Sequence, residues 1–383
     1  MKIWRKCPIC GSDDLELLHN QKFANLSESS IVDNYNIVSC NYCGFVYANT
    51  KSSQQDYDSY YESMSKYQDS NASGSGSGYY DEQRLIESAE TILKYVPKDY
   101  SILDVGCATG GLLYELKKRG FKNLEGLDPS PVCARLTNEK GIKSSTGSIF
   151  ENNLNKKYDC IILTHVLEHL RDLKRGIDLC KDLLTENGII YIESPNAKLY
   201  KESYIVPYYY FDCEHINHLD INSIKNLMLD FDCVYTCEKL QQFTKEINYP
   251  VFKAVFSKSN SKSSIKKDES AKNSVLNFIN DSKNDVANKL INDIDINEPL
   301  IIWGAGQYAL RLLANTDLNK YNIIAFIDNN TNKQDTVIEN IPVKNKDILY
   351  DFEGTILIAS ALFSDEILED ITNMGIENSV IIL

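Results

Sequence analysis

Between residues 81 and 195 the chain alternates two hydrophobic patterns. Residues 81–96 (DEQRLIESAETILKYV) carry apolar side chains at helical spacing and stop at Pro97. SILDVG at 101–106 is a short apolar strand, and GGLLYELKKRG at 110–120 is a helix with Gly120 as its C-cap. NLEGLD at 123–128 reads as a second strand and YDCIILTHV at 158–166 as a fourth; no clear pattern marks a third. The helix at 171–188 is followed by the strand GIIYIESP at 188–195. Strands alternating with helices predict a parallel sheet covered on both faces. After residue 275, VLNFINDSKNDVANKLIND reads as one helix, and LIIWGAG, IIAFIDNN and TILIAS read as strands of a second, smaller α/β unit.

The flanking segments behave differently. Residues 1–50 hold two Cys-x-x-Cys pairs and little periodicity. Residues 51–80 are rich in Tyr, Ser and Gly, which suits a linker or a flap. SKSNSKSSIKKDESAKNS at 257–274 is polar and repetitive, the best candidate for an interdomain connection. These shifts divide the chain into 1–56, 57–256 and 257–383.

A length of 383 residues agrees with two or three cores. No apolar run is long enough to span a bilayer, and the N-terminus lacks an apolar signal-peptide core, so the expected address is the cytoplasm. With Lys+Arg at 40 and Asp+Glu at 54, the net charge is −14, which disfavours nucleic acid as a partner. Oligomeric state is not readable from the sequence.

The 11 cysteines are an odd number, which in an intracellular chain suggests metal ligands and buried thiols. Cys7-Pro-Ile-Cys10-Gly and Cys40-Asn-Tyr-Cys43-Gly form two matching knuckles. Each turns two thiolates toward one ion, and the following glycine relieves the tight turn. Four thiolates make a closed tetrahedral zinc site with a structural role; the plainer alternative is free thiols or a redox pair. The segment between the knuckles exceeds the usual spacing of roughly 15–20 residues, so it is expected to form a hairpin or loop.

The most informative segment is Asp104-Val-Gly106-Cys107-Ala108-Thr-Gly110. A strand ends in an acid, and a glycine turn then opens a helix. A dinucleotide site would read G-x-G-x-x-G, with pyrophosphate at the helix N-terminus. The acid here would repel pyrophosphate and suits a cationic ligand. The loop resembles motif I of class I S-adenosylmethionine (SAM)-dependent methyltransferases. That resemblance gives Asp128, followed by Pro129, the ribose hydroxyls of SAM. It places Ser148 and Ile149 against the adenine, and Thr164 and His165 along the cofactor pocket. His165, Glu168 and His169 stand at i, i+3 and i+4; the resemblance makes the last two structural rather than metal ligands.

Tyr208-Tyr-Tyr210-Phe-Asp212-Cys-Glu214-His215 gathers aromatic and titratable groups where a substrate-facing insertion would sit. A Glu beside a His can orient the ring and tune its basicity, as general base catalysis requires; a structural pair is the plainer alternative. With the cysteine module, the SAM core and a C-terminal Rossmann-like unit, the chain resembles the sugar C-methyltransferases. Known members methylate nucleotide-linked 4-keto deoxysugars. The resemblance makes His215 the base that removes the proton alpha to the ketone, with Glu214 beside it. Family members carry Tyr where this chain has Asp212; Tyr210 or Tyr209 is the candidate replacement. The implied fold is a class I methyltransferase core with a small N-terminal zinc-binding module and a second Rossmann-like domain. Residues 57–80 would be a flap, with Tyr60, Tyr61, Tyr67, Tyr79 and Tyr80 as candidates to reach the pocket, although packing is the simpler role for any one of them.

Gly304-Ala-Gly306-Gln-Tyr-Ala309 and Asp328 spell a second dinucleotide-like turn. No hydride-transfer residues accompany it, so a substrate-binding or architectural role is expected, with a nucleotide moiety as one ligand it could take. The competing functions are an O- or N-methyltransferase on another small molecule, a non-catalytic assembly protein and a redox enzyme.

Overall fold

The computed structural model describes residues 1–24, 31–32, 34–63, 75–259, 263–331 and 333–383. Tyr67 of the expected flap lies outside them. The chain forms two compact units, each assembled from three stretches. The first holds Met1–Leu18, Ile37–Ser203 and Glu214–Val275; the second holds His19–Asn36, Tyr204–Cys213 and Leu276–Leu383.

The elements begin with β1 (Leu15–Lys22), β2 (Asn34–Cys40), β3 (Val46–Asn49), α1 (Gln54–Ser63) and α2 (Tyr79–Tyr95). The α/β alternation follows as β4 (Ser101–Val105), α3 (Gly111–Lys118), β5 (Asn123–Asp128), α4 (Pro131–Glu139), β6 (Lys143–Thr146), β7 (Tyr158–Thr164), α5 (Leu173–Asp182) and β8 (Leu184–Pro195). Then come β9 (Asn217–His218), α6 (Ile221–Leu227), β10 (Phe231–Gln242), β11 (Asn248–Lys258) and α7 (Ser270–Lys283).

Seven strands form the main sheet, in the order β6-β5-β4-β7-β8-β11-β10. Strands β4 to β8 are parallel; β11 runs antiparallel to β8, and β10 antiparallel to β11. Alternate residues face opposite layers. Ile102 and Ile162 pack with Leu85, Ala89 and Ile92 of α2 and with Leu112 and Leu116 of α3. Leu103, Ile161 and Leu163 pack with Leu173 and Ile177 of α5 on the other face.

Local signals set the ends of these elements. Val96, before Pro97, is extended and closes α2. Gly120, at φ +94°, closes α3 while Phe121 N–H donates back to Leu116 O. The third strand is β6, whose sequence KSST lies at the sheet edge and is only half-buried, so it carries no apolar pattern. The helix expected to reach residue 188 ends at Asp182, because β8 starts at Leu184 and pairs with Tyr158.

The two cysteine knuckles fold identically. Gly11 N–H donates to Cys7 O and Gly44 N–H to Cys40 O, each at 2.8 Å. The glycines sit at φ +77° and +85°, as such turns require. Cys7, Ile9, Val38 and Phe45 join the same apolar cluster as Leu103 and Ile161. Arg5, buried, donates to Leu170 O, Ile216 O and Asn217 Oδ1.

The polar stretch near residue 265 is pinned down on the first unit. Asp268 N–H donates to Cys43 O, Ser263 N–H to Leu229 O, and Asn226 holds both polar groups of the Lys266 backbone. These bonds use the backbone of the run rather than its polar side chains. A side chain at Gly44 would strike the Asp268 carbonyl as well as the positive φ. Gly44→Ala is therefore expected to destabilise the first unit by about 3 kcal/mol. Gly11→Ala, where a Cβ meets nothing, pays only the strain of φ. Thermal melts of both variants check this; equal losses would sink the argument.

The second unit continues with α8 (Ala287–Asn292), β12 (Leu300–Trp303), α9 (Gln307–Asn315), β13 (Ile323–Ile327), β14 (Val337–Ile338), β15 (Ile341–Lys344), β16 (Thr355–Ile358), α10 (Ser364–Asn373) and β17 (Ser379–Ile382). The expected single helix after residue 275 is broken between Lys283 and Ala287. Its sheet runs β14-β15-β13-β12-β16-β17 and is parallel except for the β14–β15 hairpin. Ile301, Trp303, Ile327, Ile356 and Ile367 form its core. The earlier stretches add aromatic packing: His19 stacks on Tyr208 at 4.5 Å, and Tyr210, fully buried, lies 5.1 Å from Phe278.

Candidate active site

The parallel strands of the first unit deliver their last residues to one edge. Strand β4 has β5 on one side and β7 on the other, so consecutive crossovers diverge there and leave a crevice beyond the strand ends. Asp104 pairs in register with Gly126 and Ile162, within the central strands. Asp128 ends β5; its Oδ2 accepts the Ala108 N–H at 2.8 Å and its Oδ1 the Ser130 N–H at 2.9 Å. Those bonds fix the glycine loop against the strand end.

The loop is built for close approach. Gly106 at φ +72° leaves no room for a Cβ beside Val166, and Gly110 at φ +77° none beside Thr137. Cys107 is buried. Burial and then the charge of Asp128 lift the Asp104 carboxyl to about 8; burial alone lifts Asp128 to about 6. A cationic ligand beside these carboxyls would favour their ionised forms. Thr109 Oγ1, Thr164 Oγ1 and Glu193 Oε1 are buried with no hydrogen-bond partner. Pro129 is half-buried; Ser148 caps a turn through the Phe150 and Glu151 N–H groups, and Ile149 joins the core.

His165 follows β7 with φ +53°. Its Nδ1 lies 3.1 Å from Glu168 Oε1 and its Nε2 3.7 Å from Glu193 Oε1. Burial opposes its charge, but the two carboxylates outweigh burial and raise it to about 9. Glu193 was not apparent from the sequence. It accepts Ser88 Oγ–H at 2.6 Å and Tyr191 O–H at 2.8 Å, and lies 3.8 Å from the buried Lys253 ammonium. Its signal was a carboxylate inside an otherwise apolar strand.

A second group lies on the same unit. Tyr60 O–H donates to Glu214 Oε1 at 3.0 Å, and Tyr61 OH meets His169 Nδ1 at 2.7 Å. The His169 and His215 rings meet edge to face at 4.8 Å. Two of the five candidate tyrosines thus have defined polar partners. Glu168, His169 and His215 bring one ligand atom each within 4.8 Å of one another. However, Glu168 already serves His165 and Ser194, and His169 Nδ1 faces Tyr61 and Glu214 O. The arrangement suits moving a proton among imidazoles and phenols.

Asp212 and Tyr210 fall in the second unit, whereas Glu214 and His215 fall in the first. The Asp212 carbonyl accepts Tyr35 O–H at 2.6 Å. In that unit the second glycine turn repeats the device of the first: Ala305 N–H donates to Asp328 Oδ2 at 3.1 Å, and Lys333 pairs with the same oxygen. Gly304 is required because a Cβ would lie 2.5 Å from Ala359 O.

Cys7, Cys10, Cys40 and Cys43 are free thiols whose Sγ atoms all lie within 4.8 Å of one another. The closest pairs are Cys10–Cys40 at 3.4 Å and Cys7–Cys43 at 3.6 Å. Four converging sulfurs on two glycine-relieved turns fit a zinc ion.

Residues 78–238 match a family model described as a methyltransferase domain, and residues 296–382 match one described as C2185-like, N-terminal. The first segment is thus similar to methyltransferase domains. Among curated proteins, a ubiquinone biosynthesis O-methyltransferase of Pasteurella multocida is 29% identical over 115 residues, 26% of this chain and 47% of that protein. The enzyme of the same name from Actinobacillus pleuropneumoniae serotype 7 is 31% identical over 110 residues, again 26% and 47%. The chain thus spans about half the length of these curated relatives. Among solved structures, the N-methyltransferase NodS of Bradyrhizobium japonicum is 18% identical with a TM-score of 0.38, covering 47% of this chain and 87% of that one.

Proposed function

We propose that this protein is a SAM-dependent methyltransferase acting on a small-molecule acceptor, a carbon of a nucleotide-linked 4-keto deoxysugar. The observation that carries the cofactor half is Asp104 and Asp128 flanking a glycine loop at the divergence point of the sheet. The acceptor half rests on His215 grouped with His169, Tyr61, Tyr60 and Glu214 on the same unit. SAM supplies an electrophilic methyl group bonded to a cationic sulfur. Gly106, Cys107, Ala108 and Gly110 hold it by close backbone approach, and Asp104 and Asp128 offset its positive charge. Asp128 and Pro129 serve the ribose; Ser148 and Ile149 serve the adenine; Thr164 and His165 line the pocket. His215 takes the proton alpha to the ketone, and the acceptor's C–H electron pair becomes the carbon nucleophile. This step uses neither Tyr210 nor Asp212, which fall in the second unit. The four cysteines hold a structural zinc ion, and the parallel C-terminal sheet serves as a second Rossmann-like domain.

Methyl-deuterated SAM, the purified chain and a panel of nucleotide-linked 4-keto sugars, read by mass spectrometry, test this directly. A product heavier by one labelled methyl with a new C–C bond is expected. Labelling on oxygen would replace the carbon acceptor by the O-methyl alternative, which the names of the curated relatives favour. No labelled product in the presence of bound SAM would sink the sugar acceptor.

The cofactor half predicts a pH dependence. The folded, unliganded protein keeps Asp104 protonated up to about pH 8, and a cationic ligand needs it ionised. SAM affinity should therefore rise from pH 6.5 to 8.5, and Asp104→Asn should flatten that slope. Stability of the ligand-free protein moves the other way. The folded state holds a proton that the unfolded chain releases near pH 4, so this contribution is lost as pH rises from about 4 to 8. A level wild-type SAM profile would contradict the assignment.

A further inference from the structure

Helix α9 of the second unit carries three polar groups that the fold leaves without partners. Arg311 is only 3% exposed, yet among the described residues its Nε and Nη1 make no hydrogen bond. Tyr308, 4% exposed, has an unpartnered hydroxyl, and Gln307 Oε1 is buried without a donor. A buried guanidinium without an acceptor costs several kcal/mol, so such a group is retained for something that binds it.

The three residues share one face. Positions 307 and 311 are one turn apart, and 308 lies beside them. Helical side chains lean toward the N-terminus, which carries Arg311 over the Gln307–Tyr308 turn. Its guanidinium carbon lies 6.0 Å from the Tyr308 ring centroid. Gln307 Nε2 donates to Cys213 Sγ at 2.8 Å, which turns Oε1 away from that cysteine. At the helix start, Gly306 has room for a Cβ with no atom within 4 Å, unlike Gly304. The second glycine of the loop is therefore not demanded by packing.

We propose that Arg311, Tyr308 and Gln307 form a binding site for the phosphoryl or diphosphoryl group of an organic phosphate. Nε and Nη1 lie on different edges of the guanidinium, so the two unpartnered donors reach two separate acceptor oxygens, as a diphosphoryl group offers. A third donor, the Tyr308 hydroxyl, calls for a third acceptor oxygen, which a phosphoryl group has and a carboxylate lacks. Gln307 Oε1 then takes a hydroxyl proton from the rest of the molecule, so the ligand bears hydroxyls. Burial lowers the Arg311 pKa, and Asp212 with the phenols of Tyr35 and Tyr209 opposes that shift. Only the hydroxyl-bearing skeleton rests on the nucleotide-sugar reading; the anion site stands on the unpartnered groups alone.

Calorimetric titration of the full chain with UDP and, separately, with inorganic phosphate tests the site. Wild type should bind UDP more tightly than phosphate. Arg311→Met should weaken UDP at least tenfold, Tyr308→Phe several-fold, and Arg311→Lys should recover part of the loss. SAM affinity, read from the first unit, should not move. Without ligand, Arg311→Met should melt no lower than wild type, because it removes a buried unpartnered cation. Equal UDP affinity in Arg311→Met, or no UDP binding by wild type, would overturn the site. If Arg311→Met fails to fold, Tyr308→Phe decides, and wild-type affinity there overturns it. UDP binding lost in the variant, with no sugar methylated in the labelled assay, would leave this site and remove the acceptor. Equal UDP affinity in Arg311→Met, with a labelled sugar product from wild type, would do the opposite.

Discussion

Turnover is expected to fall by about three orders of magnitude when His215 becomes alanine, with SAM affinity within about twofold of wild type. The imidazole is half-buried and packs edge to face on His169, whose Nδ1 meets Tyr61 OH. Losing a base at that position removes proton abstraction but no part of the glycine loop. Tyr60→Phe separates this role from a structural one. It leaves Glu214 without the Tyr60 hydroxyl and should reduce kcat several-fold while the melting temperature moves little. The measurements are SAM titration and single-turnover methyl transfer. A parallel loss of SAM affinity and of stability in His215→Ala would show that the ring is there for packing.

Elemental analysis should find one zinc ion per chain, and Cys40→Ser should lose it. The melting temperature should then drop by roughly 10 °C, since the ion closes a module whose cysteines belong to the main apolar cluster. SAM binding should weaken with it, because Leu103 and Leu163, in that cluster, support the strand ends of the proposed cofactor site. Chelation of the wild type should reproduce both effects. A zinc-free protein with an unchanged melting curve would leave the knuckles as free thiols.

Much of this fold was legible because its signals are local. Strand β4, its glycine turn and Asp128 announce themselves by an apolar run, left-handed glycines and an acid at a strand end. Pro97 and Gly120 stop their helices for reasons confined to neighbouring residues. What stayed hidden depends on distant partners. Strand β6 is an edge strand whose half-exposed KSST needs no hydrophobic pattern. Glu193 sits in an apolar strand because Ser88, Tyr191 and Lys253 meet it there. The polar run near residue 265 looked like a tether, yet its backbone is held by Cys43, Asn226 and Leu229. Asp212 and Glu214 are two positions apart, yet belong to different compact units; spacing along the chain could not separate them.

That interleaving constrains how the protein is made. The second unit draws His19–Asn36 from near the start of the chain and Tyr204–Cys213 from its middle, but its sheet comes from the last hundred or so residues. On the ribosome, the early stretch emerges long before its partners exist. The first unit has all its strands once residue 258 is out, so it can form while the second waits for synthesis to finish. Premature termination near residue 275 would release the first unit trailing two aromatic segments of the second. A fragment starting at residue 276 would lack Tyr35, Tyr208, Tyr210 and Phe211, which pack or bond within that unit. The second unit cannot be cut out as one contiguous piece, so split versions of this protein have to keep its three stretches together.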